Sequence, residues 1–224
     1  MNKLAGLGVG LLVLSTILFG VGCGSSNARV RMLNASPGEA SLDMLVDSKD
    51  VASGVAYGTA SGYSSVSSGS RNLQIEATGT TTPLVNQTTT LGSNTDSTVL
   101  AINSAPSTAA TVLTDNNSAP SSGNLTMRVI NAAPSLGTAD VYIVAPGTPL
   151  TSVSPTVAGL AFGSASAYQT LAAGSYEIFF TAAGQKFAAI DSGSLSFNAG
   201  QVRTIVGLNG QSGGFTAVVI ADVN

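Results

Sequence analysis

Histidine and tryptophan are missing from the chain, and cysteine occurs once, at Cys23. Without histidine, the Ser-His-Asp and Cys-His forms of nucleophilic catalysis lack their base. A single cysteine excludes an intramolecular disulfide and every cysteine-spaced zinc motif. Charge is scarce as well. Only 8% of the 224 residues are charged, against roughly 25% in ordinary soluble domains. The net charge is −3, and Lys3, Lys49 and Lys186 are the only lysines. None of them sits in a basic cluster that could displace counterions from a nucleic acid. Glu39, Glu76 and Glu177 are the only glutamates and have no counterparts in the repeats described below, so the opposed carboxylates of glycoside hydrolysis are not suggested. Ser-x-x-Lys, which would offer a lysine base, does not occur. The expectation is a non-catalytic protein with no cofactor, no metal and no nucleic-acid partner.

Hydrophobic residues make up 44% of the chain, enough for a core. Ser, Thr, Gly, Ala and Asn take the place of charge, and they suit turns and solvated strand faces. The first residues follow signal-peptide grammar. Met1-Asn2-Lys3 is a basic start, Leu4 to Phe19 is apolar, and Gly20-Val21-Gly22 brings small residues up to Cys23. The apolar run is shorter than the roughly 20 residues that span a bilayer. The segment resembles a bacterial lipoprotein signal, which implies that Cys23 is lipidated and becomes the new N-terminus. Gly20 stands where such signals usually carry Leu. Gly24 stands where lipoproteins of the inner membrane commonly carry Asp, so the resemblance favours the outer membrane or cell surface. The membrane is thus the expected partner, reached through the N-terminal lipid.

The rest of the chain repeats itself. Val30-Arg31-Met32-Leu33-Asn34-Ala35-Ser36-Pro37 aligns with Met127-Arg128-Val129-Ile130-Asn131-Ala132-Ala133-Pro134. Leu42-Asp43-Met44 aligns with Ala139-Asp140-Val141 at the same offset, and Tyr57-Gly58 through Tyr63 with Phe162-Gly163 through Tyr168 after a Pro-rich insertion. Within each unit apolar residues alternate with a period of two between Gly, Pro, Asn and Ser clusters, the pattern of short strands. The fold class expected is all-β: two tandem Ig-like or transthyretin-like β-sandwich repeats after an N-terminal lipoprotein signal peptide. The expected boundaries are a signal peptide at 1–22, a lipidated N-terminus and tether at 23–27, a first sandwich at 28–115, a linker at 116–124 and a second sandwich at 125–224. Each sandwich is expected to fold by itself.

This signature of Arg-x-Leu/Ile-Asn-Ala-x-Pro, an Asp in an apolar strand, then Tyr/Phe-Gly and Tyr, resembles the bacterial envelope family known as domain of unknown function 4397. The resemblance covers nearly all of the mature chain. It implies an extracytoplasmic β-sandwich module, often lipid-anchored and tandem, and it brings no established activity. The first copy departs from the pattern at Met44 and Leu45, where Val-Tyr is usual.

Four groups invite a chemical reading. Gly210-Gln211-Ser212-Gly213-Gly214 has the spacing of a nucleophile elbow, but without histidine or a following helix it reads as a hairpin loop. Asp43 and Asp140 recur and could ligate calcium, though a carboxylate cluster surrounds only the first, so structural roles are favoured. Tyr63 and Tyr168 could offer a surface to a sugar or peptide, whereas Tyr57 and Phe162 read as packing residues. Finally, period-two counting turns Arg31, Asp43, Arg128 and Asp140 outward, so Arg31 is expected to pair with Asp43, and Arg128 with Asp140, across a solvated sheet face. The leading functional expectation is a lipid-anchored envelope protein with a structural or interaction role. The alternative is a surface lipoprotein that binds carbohydrate or peptide; partners would be an envelope protein or polysaccharide.

Overall fold

The computed structural model describes residues 26–103 and 105–222, so the signal stretch and Cys23 lie outside the described residues. The protein is all-β. A one-turn 3-10 helix at Leu150–Ser152 is the only helical element among the described residues. Eight strands form a first sandwich: β1 (Asn27–Ala35), β2 (Ser41–Val46), β3 (Lys49–Ala56), β4 (Ser64–Ser67), β5 (Gly69–Ala77), β6 (Pro83–Leu91), β7 (Asp96–Ile102) and β8 (Ala109–Asp115). Nine form a second: β9 (Asn124–Ala132), β10 (Ala139–Val144), β11 (Val157–Leu160), β12 (Ser164–Ala165), β13 (Gln169–Ala172), β14 (Gly174–Ala182), β15 (Ala188–Phe197), β16 (Val202–Asn209) and β17 (Phe215–Ala221).

Each sandwich stacks two sheets. In the first, β4-β1-β7-β8 faces β3-β2-β5-β6; in the second, β12-β9-β16-β17 faces β11-β10-β14-β15, with β13 beside β12 on β9. The central pairs β1–β7 and β9–β16 are parallel, and their registers set Arg31 opposite Thr98 and Arg128 opposite Thr204. The period-two pattern holds strand by strand. Val30, Met32, Val99 and Ala101 meet Leu42, Met44, Leu73 and Ile75 in the first core. Met127, Val129 and Ile205 meet Val141, Ile178 and Phe180 in the second.

A third apolar layer lies between the sandwiches. Leu33, Ala35, Leu100 and Ile102, from the outer face of β1 and β7, pack on Ile130, Ala132, Val206, Leu208 and Ile220 of β9, β16 and β17. That face was expected to meet solvent. It is covered instead, because β1 and β9 carry apolar residues at both parities, as strands buried on both faces do. Like ends lie together. Arg31 reaches the carbonyl of Ala221 at one end, and the Tyr57 hydroxyl donates to the Asn209 carbonyl, 2.7 Å away, at the other.

The two cores reach the same packing with different residues. At matched registers the first has Ile75 beside Val85, the second Phe180 beside Ile190. The extra volume is taken from the facing strand, where Ala101 is matched by Gly207. A Cβ on Gly207 would come within 2.9 Å of Ile190 Cδ1 and 3.0 Å of the Phe180 ring. Gly207→Ala is therefore expected to destabilise the protein by about 1–3 kcal/mol in urea unfolding, the usual cost of overpacking. In a background carrying both Phe180→Ile and Ile190→Val, the residues of the first core, the same alanine should cost little, because both atoms it strikes are gone.

Candidate functional site at the seam between the sandwiches

The seam holds the one recurrent pair of charged residues that is buried in both copies among the described residues. Arg31 and Arg128 are each 2% exposed. A guanidinium in such surroundings must be paired and hydrogen-bonded, since an isolated buried charge costs many kcal/mol. Neither arginine pairs with the aspartate expected from the sequence. Arg31 binds the carboxylate of Asp222, just beyond β17, and Arg128 Nη2 binds Asp115 Oδ1 at the end of β8, 2.5 Å away. Each arginine thus takes its closest carboxylate from the other sandwich, and Arg31 Nε also lies 3.9 Å from Asp115 Oδ2 of its own. The expected Arg31–Asp43 and Arg128–Asp140 pairs do not form, because the face that carries the arginines is closed by the second sandwich.

Hydroxyls complete the lattice. Arg31 Nε donates to Thr98 Oγ1 at 2.9 Å, and Arg128 Nε to Thr204 Oγ1 at 3.1 Å. Thr98 in turn donates to Asp115 Oδ2 at 2.7 Å, and Thr204 to Asp222 at 3.1 Å. The two tyrosines singled out in the sequence roof the arginines. The Arg31 guanidinium lies 4.8 Å from the Tyr63 ring centre, and that of Arg128 lies 4.8 Å from the Tyr168 ring centre. Such cation–π contacts hold a desolvated guanidinium in place. The Tyr63 hydroxyl donates to Asp115 Oδ2 at 2.6 Å. Both rings are half-buried, with one face turned to an arginine.

The electrostatics follow from this closure. Burial opposes the charge on Arg31, yet Asp222, Tyr63 and Asp115 together hold its pKa above the ordinary guanidinium value. Burial raises the pKa of the Tyr63 phenol, and pushes that of Tyr168 up to about 12. Two arginines against two carboxylates make a neutral, water-poor lattice of ion pairs. It joins surfaces and offers no activated nucleophile.

The other recurrent residues are accounted for locally. Asn34 Nδ2 donates to the Val55 carbonyl and Asn131 Nδ2 to that of Leu160, both at 3.0 Å, tying β1 to β3 and β9 to β11. Asp43 accepts from the Gly54 amide at 2.6 Å and the Thr78 hydroxyl at 2.8 Å. Asp140 accepts from the amides of Gly159 at 2.8 Å and Gly184 at 2.7 Å. Gly58 and Gly163 sit at φ +74° and +75°, where a side chain is strained, and each lies against the other sandwich: Gly58 on Leu208, Gly163 on Ile102. Gly210 to Gly214 closes the β16–β17 hairpin, with the Gly210 amide bonded to the Gly214 carbonyl at 2.9 Å.

Two open grooves flank the seam. One, of about 540 Å³, runs between Tyr57–Thr59 and the 210–213 loop. The other, of about 630 Å³, lies at the opposite end, around Asn27, Arg29, Asp96 and Asn117.

The family model described as domain of unknown function (DUF4397) matches residues 28–142, just over half of the chain. The chain belongs to this family. The match contains Arg31, Asp43, Gly58 and Tyr63, and runs on through Arg128 and Asp140. Among curated proteins there is no significant match. Solved structures similar to the chain include a family 41 carbohydrate-binding module from streptococcal virulence factors, described for alpha-glucan recognition, at 15% identity. The alignment covers 81% of this chain and 93% of the module, with a TM-score of 0.25. A family CBM26 module of Eubacterium rectale Amy13K, solved with maltoheptaose, is 10% identical over 88% of this chain and 98% of its own, at a TM-score of 0.26. A leucine-rich repeat protein from Bacteroides thetaiotaomicron is 11% identical over 80% and 25%, at 0.20. Scores this low carry no argument about function.

Two outcomes are expected of the seam. Arg128→Met removes the closest ion-pair partner of Asp115, leaving Arg31 Nε at 3.9 Å and two hydroxyl donors. It should cost about 2–4 kcal/mol in urea unfolding, toward the lower end of what breaking a buried pair costs. Arg29→Ala breaks the more exposed Arg29–Asp96 pair and should cost about 1 kcal/mol or less. The second outcome is an alkaline one. Tyr168 titrates near 10.0 when unfolded and about 12 when folded, so above pH 10 the unfolded chain gives up its phenolic proton first. Stability should hold up to about pH 10 and fall between there and pH 12, and Tyr168→Phe should lessen that fall while Tyr63 keeps its own share.

Proposed function

We propose that the protein is a non-catalytic component of the cell envelope, held to a membrane by lipid on Cys23. On this reading both sandwiches are copies of the family's domain and act as one rigid body with a structural or interaction role. The reciprocal lattice of Arg31–Asp222 and Arg128–Asp115 carries the proposal. It gives the residues that recur in both halves a joining task. The surface left over is rich in hydroxyls and amides, which suits contact with other envelope components better than turnover of a substrate.

The N-terminal grammar supports the address. Acyl chains bury methylenes at about 0.8 kcal/mol each, and more than one chain makes an anchor stable. Gly24 after the cysteine favours the outer membrane or the cell surface. Because β1 begins at Asn27, four residues past Cys23, the tether is at most about 14 Å long. The sandwiches would therefore stand close against the bilayer.

Fractionation and mass analysis test this reading. Membrane-extracted protein should carry acyl chains on an N-terminal cysteine, and Cys23→Ser should move it to the soluble fraction. A wild-type product that is soluble, or processed elsewhere, would refute the anchor. Cross-linking in intact envelopes should then recover partners at the exposed surfaces.

A further inference from the structure

The larger groove, at the end of the first sandwich where β1 begins, has the furnishing of a ligand site. Every residue that lines it is polar, and its volume of about 630 Å³ lies in the range of small-molecule sites. Arg29 and Asp96 form a bidentate pair at its floor, with Nε–Oδ1 and Nη2–Oδ2 distances of 2.7 and 2.5 Å, so the centre is polar without net charge. Asn117 bridges the floor to the seam: its Nδ2 donates to Asp96 Oδ2 at 2.7 Å and to the Tyr63 hydroxyl at 3.2 Å. Those two oxygens fix which way the amide points. Asn117 Oδ1 is then a buried acceptor with no donor in the protein, an arrangement that costs free energy until a hydrogen-bond donor arrives. Asn27 and Asn94 stand exposed at the rim.

The sandwich fold does not require any of this. At the registers of Arg29 and Asp96, which face each other across β1 and β7, the second sandwich places Thr126 and Val202 across β9 and β16. The first sandwich has therefore acquired an ion pair that its twin folds without.

We propose that this groove binds a neutral, hydroxyl-rich ligand, that is, a saccharide. A sugar hydroxyl both donates and accepts, and the groove offers amides and hydroxyls that do the same. A small turn of the Asn117 side chain would bring its unpartnered Oδ1, closed off at rest, to a ligand hydroxyl, and further hydroxyls can donate to Asp96 and accept from Arg29 Nη1, which the fork does not use. An anion gains little where the cation is already paired. A lipid tail or a hydrophobic peptide finds no apolar side chain in the lining. Nor does the site depend on the lipid anchor, although its place beside the tether puts glycolipid headgroups as well as free oligosaccharides within reach.

The test uses the full chain carrying Cys23→Ser, observed by saturation-transfer NMR with maltohexaose, cellohexaose, chitohexaose and mannohexaose. A parallel arm uses phosphatidylcholine vesicles with and without digalactosyl diacylglycerol. Binding to at least one oligosaccharide or to the glycolipid vesicles is expected, and which arm responds identifies the source. Asn117→Ala and Asn27→Ala should each weaken that binding, Asn117→Ala by about tenfold, the value of one good hydrogen bond. Asn27 is an exposed residue, so its loss leaves folding, followed by circular dichroism, unchanged. Phe187→Ser, at the opposite end of the second sandwich, should have no effect. The proposal falls if no probe binds, if plain vesicles bind as well as glycolipid ones, or if the groove variants bind like the wild type.

Discussion

Two buried arginines, each neutralised by a carboxylate of the other sandwich, decide how this chain is put together. The apolar layer around them supplies most of the stabilisation, but apolar burial is non-directional and would tolerate sliding. A guanidinium at 2% exposure tolerates none. If the sandwiches shift by one residue along the strands, Arg31 leaves Asp222 and Arg128 leaves Asp115. Arg128 and Asp222 then lose their ion-pair partners in a poorly solvated layer, and Arg31 and Asp115 keep only each other, 3.9 Å apart. Buried ion pairs often add little net stability over an apolar replacement, while breaking one is costly. Their effect here is to select one docking geometry from the many that the apolar layer alone would accept.

The contacts are also reciprocal. Arg31 of the first unit meets the carboxylate at the end of the second, and Arg128 of the second meets the carboxylate at the end of the first. This is the pattern of an isologous dimer, in which one patch serves both sides, realised within a single chain. It explains why the same residue types recur. Gly58 and Gly163 let each unit's corner approach the other's β7 or β16 end. Tyr63 and Tyr168 cover the two arginines. Positions away from the seam are freer, which is why Ile75, Val85 and Ala101 in one core could become Phe180, Ile190 and Gly207 in the other, with the glycine offsetting part of the added volume.

Much of this was legible in the sequence. Strand parity came through, because inward residues such as Val30, Met32, Leu42 and Met44 alternate with polar ones. The hairpin at Gly210–Gly214 was readable from the absence of a base and of a following helix. What failed was the assumption that the second face of β1 meets water. Leu33 and Ala35 fall on the same parity as Arg31, and Ile130 and Ala132 on that of Arg128, so an apolar layer was written there. The arginines masked it, since a charged residue in an alternating strand reads as exposed. Their true partners were harder still to find. Asp115 opens a segment of linker composition and Asp222 lies two residues from the end, and neither stands in a motif that alternation can interpret.

The seam also reshapes how the sparse charge of the chain should be read. Arg29, Arg31, Arg71 and Arg128 are all engaged in ion pairs within the protein. Little cationic charge is left for the exterior, and solubility rests on Ser, Thr, Asn and Gln at exposed strand positions. Such a surface attracts neither nucleic acid nor anionic lipid at long range, because both respond to unpaired cations. On the proposed reading, contacts of this surface with a partner would rest on short-range hydrogen bonds. Recognition of that kind depends on where amides and hydroxyls are held, and a hinge between the sandwiches would blur it. A docking geometry selected by buried charge opposes such a hinge, so on the proposed reading the lattice at the seam would hold the amides and hydroxyls of the polar exterior in one arrangement.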